Sequence, residues 1–221
     1  MGAGDEVFLF ETITIDPPRD RIYRRLGYRR KTTVLSEAQR REIDDAIDRG
    51  SRLLRLKGVS RRLAVESRDP SGIVLAGGIR FDSARLSAFL EDCEEVLLLG
   101  ATGGDAIMDA IADESAAQNL SRAVVLDATA SETVDASLDW LVRYHATQLR
   151  REGKRILKRR YSAGYGDFDL RYQQEIYTLL ELHRLGVAIT GQAVLVPEKS
   201  VTAVTGILEE RSAGKESARS G

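Results

Sequence analysis

The chain has 221 residues, of which 43% are hydrophobic and 30% are charged, and its formal net charge is −1. These values are ordinary for a globular protein, and a chain of this length can bury a sizeable core. A net charge so close to zero gives no electrostatic case for binding nucleic acid or an acidic membrane surface.

The N-terminal residues predict neither secretion nor membrane insertion. Acidic side chains stand where a secretory signal needs basic ones, and no apolar run reaches the length of a membrane-spanning helix. We therefore expect a cytoplasmic protein with no membrane or nucleic-acid partner.

The residues that most often bind metals are few and scattered. The single cysteine, Cys93, excludes an intramolecular disulfide and any cysteine-based metal cluster, and its apolar neighbours predict a small buried side chain. His145 and His183 lie on or beside apolar helical faces, with no second histidine four residues away. This pattern favours structural or surface histidines over metal ligands or general bases.

The first third of the chain mixes strand and helix patterns. Alternating apolar residues predict a strand over residues 7–15, and a short helix follows at 21–26. Ser36 opens a capping-box pattern before a longer amphipathic helix. Residues 69–72, Asp-Pro-Ser-Gly, predict the turn of a hairpin.

A buried strand over residues 95–100 leads into the turn Ala-Thr-Gly-Gly-Asp and then into a helix. Strand, glycine-rich turn and helix in this order also begin many nucleotide sites. The turn has neither the G-x-G-x-x-G pattern nor the lysine of a phosphate-binding loop. A scaffold turn is therefore the favoured interpretation, and a nucleotide-binding enzyme using Gly100 to Asp105 is the alternative.

Apolar residues spaced three and four apart predict a long helix over 123–150, ended by Gly153. A strand over 154–161 and a last helix over 172–185 are expected next, followed by short strands at 187–190, 193–196 and 201–208. We expect residues 1–208 to form one α+β domain, with helices packed on a largely antiparallel or mixed twisted sheet. The polar residues 209–221 predict a disordered tail.

A polar, glycine-rich loop at 160–167 carries the candidate chemistry. The Arg160 guanidinium can grip a carboxylate through two parallel hydrogen bonds, and Gly164 and Gly166 let a ligand approach the main chain. The loop also holds two tyrosines on which an adenine could stack. On these residues alone, a structural turn remains the favoured interpretation.

Residues 160–165, Arg-Tyr-Ser-Ala-Gly-Tyr, fit the Arg-x-x-x-Gly-Tyr motif of the activation domain of cobalamin-dependent methionine synthase. The downstream run Val-Pro-Glu-Lys-Ser-Val at 196–201 also resembles that domain. The similarity in order and spacing covers roughly residues 22–207, so the chain resembles a stand-alone activation domain.

The resemblance implies an α+β fold, a site for S-adenosylmethionine, and docking on a cobalamin-binding methyltransferase module. There, oxidised cobalamin is reduced by a flavodoxin-like donor and remethylated from S-adenosylmethionine. The resemblance also implies that Arg160 holds the methionyl carboxylate and that Asp135 meets the ammonium or sulfonium charge. The main-chain contacts to the adenosine would come from Ser162, Ala163, Gly164 and Tyr165.

The chain departs from the family pattern in several respects. Ala163 replaces a proline, and Thr190-Gly191-Gln192 stands where the family has a carboxylate. The sequence also contains no modules for homocysteine, folate or cobalamin, so the chain is at most a subunit of a methionine synthase. Two alternatives stay open: an activation subunit acting in trans, or a non-catalytic module that contacts a corrinoid protein and has lost S-adenosylmethionine binding.

Overall fold

The computed structural model describes residues 6–29 and 33–210. The α-helices are α1 (Arg19–Arg25), α2 (Glu37–Leu53), α3 (Ala84–Phe89), α4 (Ala106–Ala116), α5 (Leu120–Leu149) and α6 (Gln173–Leu179). The strands are β1 (Val7–Phe10), β2 (Lys57–Asp69), β3 (Gly72–Leu75), β4 (Ile79–Asp82), β5 (Glu95–Thr102), β6 (Lys154–Ile156), β7 (Ala188–Ile189), β8 (Leu195–Val196) and β9 (Ser200–Glu209). Short 3₁₀ turns occupy Arg150–Glu152, Leu170–Tyr172 and Leu182–Leu185.

One antiparallel sheet organises the fold. Its strands run in the order β4-β3-β2-β5-β9-β6, and β1 pairs with β2 off this path. The strands β7 and β8 form a separate antiparallel pair. The sheet carries packed helices, so the α+β prediction is confirmed.

The sheet is buried on both faces. Successive side chains of its central strand β5 point to opposite faces, and each face packs against a separate core. Val96 and Leu98 belong to a core that also contains residues of α3 and α6. Leu97 and Leu99 belong to a second core, built with α4 and α5. A continuous apolar strand is therefore the expected sequence for β5. A smaller cluster joins α1, α2 and α5.

Local signals located several element ends correctly. The Ser36 side chain accepts a hydrogen bond from Gln39 N at 3.2 Å, and Ser36 N donates to Gln39 Oε1 at 3.0 Å, which completes the predicted capping box. Gly153, at φ 70°, ends the 3₁₀ turn that follows α5. Cys93 is buried, as its neighbours indicated.

The helix predicted over 172–185 is wrong in its second half. The α6 helix ends at Leu179, Glu181 adopts a left-handed φ of 52°, and a 3₁₀ turn follows. Leu180 and Leu182 are both buried in the same core. Residues two apart on an α-helix point to different sides, so burying both leucines together requires the helix to break.

Two predicted strands are shorter than expected. The strand predicted over 7–15 ends at Phe10, beyond which Ile13 N makes a single further bond, 2.9 Å, to Leu56 O. The strand predicted over 154–161 ends at Ile156, although Tyr161 returns to the sheet through one bridge to Val204.

The predicted tail begins too early, because β9 extends through Glu209. Residues 211–221 lie outside the described residues. Within the part of the chain that the structure describes, no helix combines the length and apolar character needed to cross a bilayer.

Candidate functional site

The loop that carries the motif is tied to β9. Tyr161 N donates to Val204 O at 2.8 Å, and Val204 N donates back to Tyr161 O at 2.7 Å. One residue on, the Ser162 hydroxyl donates to Thr202 O at 2.8 Å. The loop is thus held against the strand that lies next to the central strand of the sheet.

This loop forms one side of a cleft of about 570 Å³. The other sides come from Asp135, Leu138 and Asp139 on α5, Gln173 at the start of α6, and residues 200–203 of β9. The volume lies within the range of about 300–1,000 Å³ that is usual for small-molecule sites.

The structure brings five of the six predicted site residues to this cleft. They are Asp135, Arg160, Ser162, Ala163 and Tyr165. Gly164 does not line the cleft. Its positive φ of 90° shapes the turn, and its N–H donates to Phe168 O at 2.7 Å.

Part of the main chain of the loop is already engaged. Besides the Gly164 N–H, Tyr165 N donates to Ser162 O at 3.3 Å inside the loop. The N–H groups of Ser162 and Ala163 have no acceptor among the described residues. The main-chain donors left for a ligand are therefore at Ser162 and Ala163 rather than at Gly164 and Tyr165.

Arg160 belongs to a network of four charged side chains. Its guanidinium pairs with Asp139 and, at 3.1 and 3.2 Å, with both oxygens of Asp135. Arg21 of α1 reaches the same two carboxylates, at 2.7 Å from Asp139 and 3.4 Å from Asp135. The network is electrically neutral, and the Arg160 side chain is only 18% exposed. The guanidinium expected to bind a ligand carboxylate therefore already has two carboxylate partners.

Within this network, hydrogen bonding favours the charged forms of Asp139 and Arg21. Burial of Asp139 acts to raise its pKa, but the hydrogen bonds from Arg160 and Arg21 outweigh burial and hold that pKa below its usual range. The hydrogen bond to Asp139 in turn raises the pKa of Arg21.

Two further cations, Lys158 and Arg159, line the cleft. Among the described residues neither has a carboxylate partner within 4 Å. Because the four-residue network is neutral, these two side chains give the cleft a net positive charge. Such a charge favours a ligand, or a part of a ligand, that is anionic.

Sequence reasoning missed Asp139, Arg21 and Gln173. The four-residue spacing of Asp135 and Asp139 was a usable signal, because it places both carboxylates on one face of α5. Arg21 and Gln173 gave no such signal, because only the tertiary fold brings them to the other residues of the cleft.

The second motif, at residues 196–201, serves mainly to anchor β9. Lys199 is buried, and its Nζ binds Asp127 at 2.6 Å and Ser131 at 3.2 Å, both on α5. Ser200 and Val201 line the cleft. The lysine of this motif thus fixes the start of the strand that forms one wall of the cleft.

The glycine-rich turn after β5 uses its main chain for packing. Gly103 N donates to Lys199 O at 2.8 Å, and Gly103 O accepts from Arg55 N at 2.8 Å. Gly104 N donates to the Thr102 hydroxyl at 3.2 Å. With these N–H groups engaged, the turn does not offer the row of donors that a phosphate requires.

No protein-family model matches the chain, and no curated protein matches it. Among solved structures, the chain is similar to the MetH reactivation domain bound to AdoHcy, with a TM-score of 0.66 and 15% sequence identity. The match covers 92% of this chain and 79% of that chain. At this identity the similarity establishes the fold that the two chains share.

Proposed function

We propose that the chain binds S-adenosylmethionine in the cleft beside Arg160 and presents it to a cobalamin-binding protein. The observation that carries the proposal is a cleft of ligand size at the motif loop, in a chain with the fold of the MetH reactivation domain. The ligand of that domain, AdoHcy, is S-adenosylmethionine without its transferable methyl group.

The charged network suits an amino-acid ligand, because the carboxylate and ammonium of such a ligand can replace an ion pair of the network. Asp135 is 46% exposed and lies 3.4 Å from Arg21, whereas Asp139 is 24% exposed and lies 2.7 Å from Arg21. The Asp135–Arg160 contact is therefore the one that opens at least cost. When it opens, the ligand carboxylate replaces Asp135 on Arg160, and the ligand ammonium binds Asp135.

The nucleoside part has neutral partners in the same cleft. Tyr165 is 70% exposed and offers a flat face to adenine, and the N–H groups of Ser162 and Ala163 are available as donors. These residues bind and orient the ligand. A cobalamin bound to the partner and reduced by a flavodoxin-like donor would supply the nucleophile for the sulfonium methyl group, with S-adenosylhomocysteine as the leaving group.

Calorimetric titration with S-adenosylmethionine tests the ligand. We expect wild type to bind and Arg160→Ala to bind roughly 30-fold more weakly or worse, because a desolvated charged contact is worth about 2–3 kcal/mol. Arg184→Ala is the matched control, since Arg184 pairs with Glu181 outside the cleft. A wild-type protein that gives no binding heat would rule out the ligand part of the proposal.

Asp135→Asn tests the exchange of partners. Loss of the charge that receives the ligand ammonium should weaken binding roughly fivefold to tenfold. Glu132→Gln, one turn earlier on α5 and not part of the cleft, should leave the affinity unchanged. Tighter binding by Asp135→Asn would contradict the exchange, because it would mean that Asp135 only blocks Arg160.

A second candidate function is a module that contacts a corrinoid protein without S-adenosylmethionine. The saturation of Arg160 by two carboxylates favours it. This candidate predicts that a purified cobalamin-binding domain is retained by the immobilised chain while the calorimetric titration stays silent. The proposed function predicts that S-adenosylmethionine gives heat and that retention depends on it.

A further inference from the structure

Gln173 lines the cleft and is a buried polar residue, 8% exposed, as is Thr202, 2% exposed. Gln173 is the first residue of α6, and it faces β9 across the cleft wall. The Thr202 hydroxyl donates to Gln173 Oε1 at 2.8 Å. Because the Thr202 carbonyl also accepts from the Ser162 hydroxyl, one hydrogen-bonded chain joins the motif loop, β9 and α6.

The other end of this amide has no protein partner. Gln173 Nε2 makes no hydrogen bond to any described residue. Among those residues, only Thr133 carries a side-chain polar atom that is both fully enclosed and unbonded, so Gln173 Nε2 reaches the space of the cleft. Its two N–H groups have no protein acceptor, so they are available to donate to a ligand acceptor in the cleft.

We infer that Gln173 is a specificity-determining residue, which donates a hydrogen bond from its amide to a neutral acceptor on the bound nucleoside. The inference rests on the proposed function and deepens it. The charged end of the ligand already has Arg160 and Asp135, whereas the uncharged Gln173 donor matches an uncharged acceptor. The candidates are a ring nitrogen of adenine and a ribose oxygen.

Gln173→Glu changes only the end of the side chain that meets the ligand. The carboxylate still accepts from the Thr202 hydroxyl, but an acceptor now replaces the amide donor. We expect S-adenosylmethionine to bind about tenfold more weakly at pH 8 than it binds to wild type. The matched control is Gln174→Glu, the same substitution at the next, exposed residue, which should bind like wild type.

The pH dependence separates recognition from a general structural effect. As the pH falls, the Gln173→Glu carboxyl takes up a proton and becomes a donor again. The ratio of its dissociation constant to that of wild type should therefore fall from about ten at pH 8 toward about two as the pH approaches about 4.3, the ordinary pKa of a glutamate. A purely structural effect would leave this ratio constant.

A second variant and two ligand analogues complete the test. Gln173→Met removes the donor without adding charge and should weaken binding about fivefold at every pH. The Gln173→Glu penalty should vanish for the 3-deaza or the 7-deaza analogue of S-adenosylhomocysteine if that nitrogen is the acceptor. If it persists for both, the acceptor is N1 or a ribose oxygen.

Two outcomes would overturn the inference, and they are distinguishable. If wild type binds S-adenosylmethionine and both Gln173 variants bind within twofold of it at pH 8, the assignment of Gln173 alone fails. If wild type does not bind at all, the proposed function fails and takes this inference with it. Thermal melting of each variant, compared with Gln174→Glu, shows whether the fold is intact.

Discussion

Among single residues, Arg160 shows that a charge which the sequence suggests is free to bind a ligand can already be paired with other side chains of the protein. The motif loop brings Arg160, Ser162, Ala163 and Tyr165 to one cleft, whereas Gly164 does not line it. The motif says nothing about Arg21 or Asp139, which reach Arg160 from α1 and α5. Consequently the sequence could predict which loop residues lie close together, whereas it could not predict the ion pairs that Arg160 makes with other elements.

His145 gives a prediction about stability and pH. It is buried on α5 and hydrogen-bonded to Ser60 through its Nε2 at 2.7 Å. Burial, with a smaller contribution from Arg62, lowers the pKa of His145 to about 4, against an ordinary value of 6.5. The unfolded chain therefore binds a proton in this interval that the folded chain does not. The contribution of His145 to the free energy of unfolding is fully present above pH 6.5 and declines as the pH falls toward 4.

Between pH 7 and pH 5 we expect His145 to account for a loss of about 2 kcal/mol in the free energy of unfolding. Urea denaturation at both values measures it. In His145→Gln that part of the loss should disappear, while the exposed His183→Gln should behave like wild type. An equal loss in wild type and His145→Gln would show that His145 titrates normally in the folded protein.

At the scale of elements, the ends that depend on local chemistry were predictable and those that depend on packing were not. The capping box at Ser36 and the stop at Gly153 act through their own neighbours. The break after Leu179 depends on a core that no window of sequence contains. For the same reason β1 ends opposite the start of its partner β2, where Phe10 pairs with Gly58, rather than where its apolar alternation ends.

The pairing of β5 with β9 gives a prediction about packing. Gly206 lies opposite Val96, and a Cβ at this position would stand 2.9 Å from Leu90 Cδ2 and 3.0 Å from Leu157 Cδ1. It would also overlap Cys93 Sγ. We expect Gly206→Ala to lower the free energy of unfolding by about 1–3 kcal/mol in chemical denaturation.

The control for this variant is Gly191→Ala, because a Cβ there meets nothing within 4 Å. Gly206→Ala combined with Cys93→Ala should be more stable than the sum of the two single effects predicts, since the shorter side chain relieves the overlap. Strict additivity would show that the sulfur is not the obstacle.

For the molecule as a whole, the α+β class followed from the order of strand and helix patterns, but the cleft did not. Its walls come from α5, the motif loop, the start of α6 and β9. Only the sheet order, which sets β9 between β5 and β6, brings these segments together. Sequence spacing carries no information about that order, so Gln173 could not be assigned to the site beforehand.

Binding at this cleft should stabilise the whole domain. With S-adenosylmethionine at 100 times its dissociation constant, linkage gives about 2.7 kcal/mol. For a chain of this size that corresponds to a rise of roughly 5–10 °C in Tm, measurable by scanning calorimetry. Arg160→Ala at the same ligand concentration should gain far less. An equal rise in both proteins would place the ligand elsewhere.

The position of β9 also bears on how the chain reaches its native state during synthesis. One edge of the central strand β5 can pair only with β9. That strand begins at Ser200, more than ninety residues after β5 ends. A nascent chain on the ribosome therefore holds one long edge of an apolar strand unpaired until β9 has been made. Folding should finish in a single late step, and a chaperone that shields β5 should matter more to this protein than one that acts on its helices.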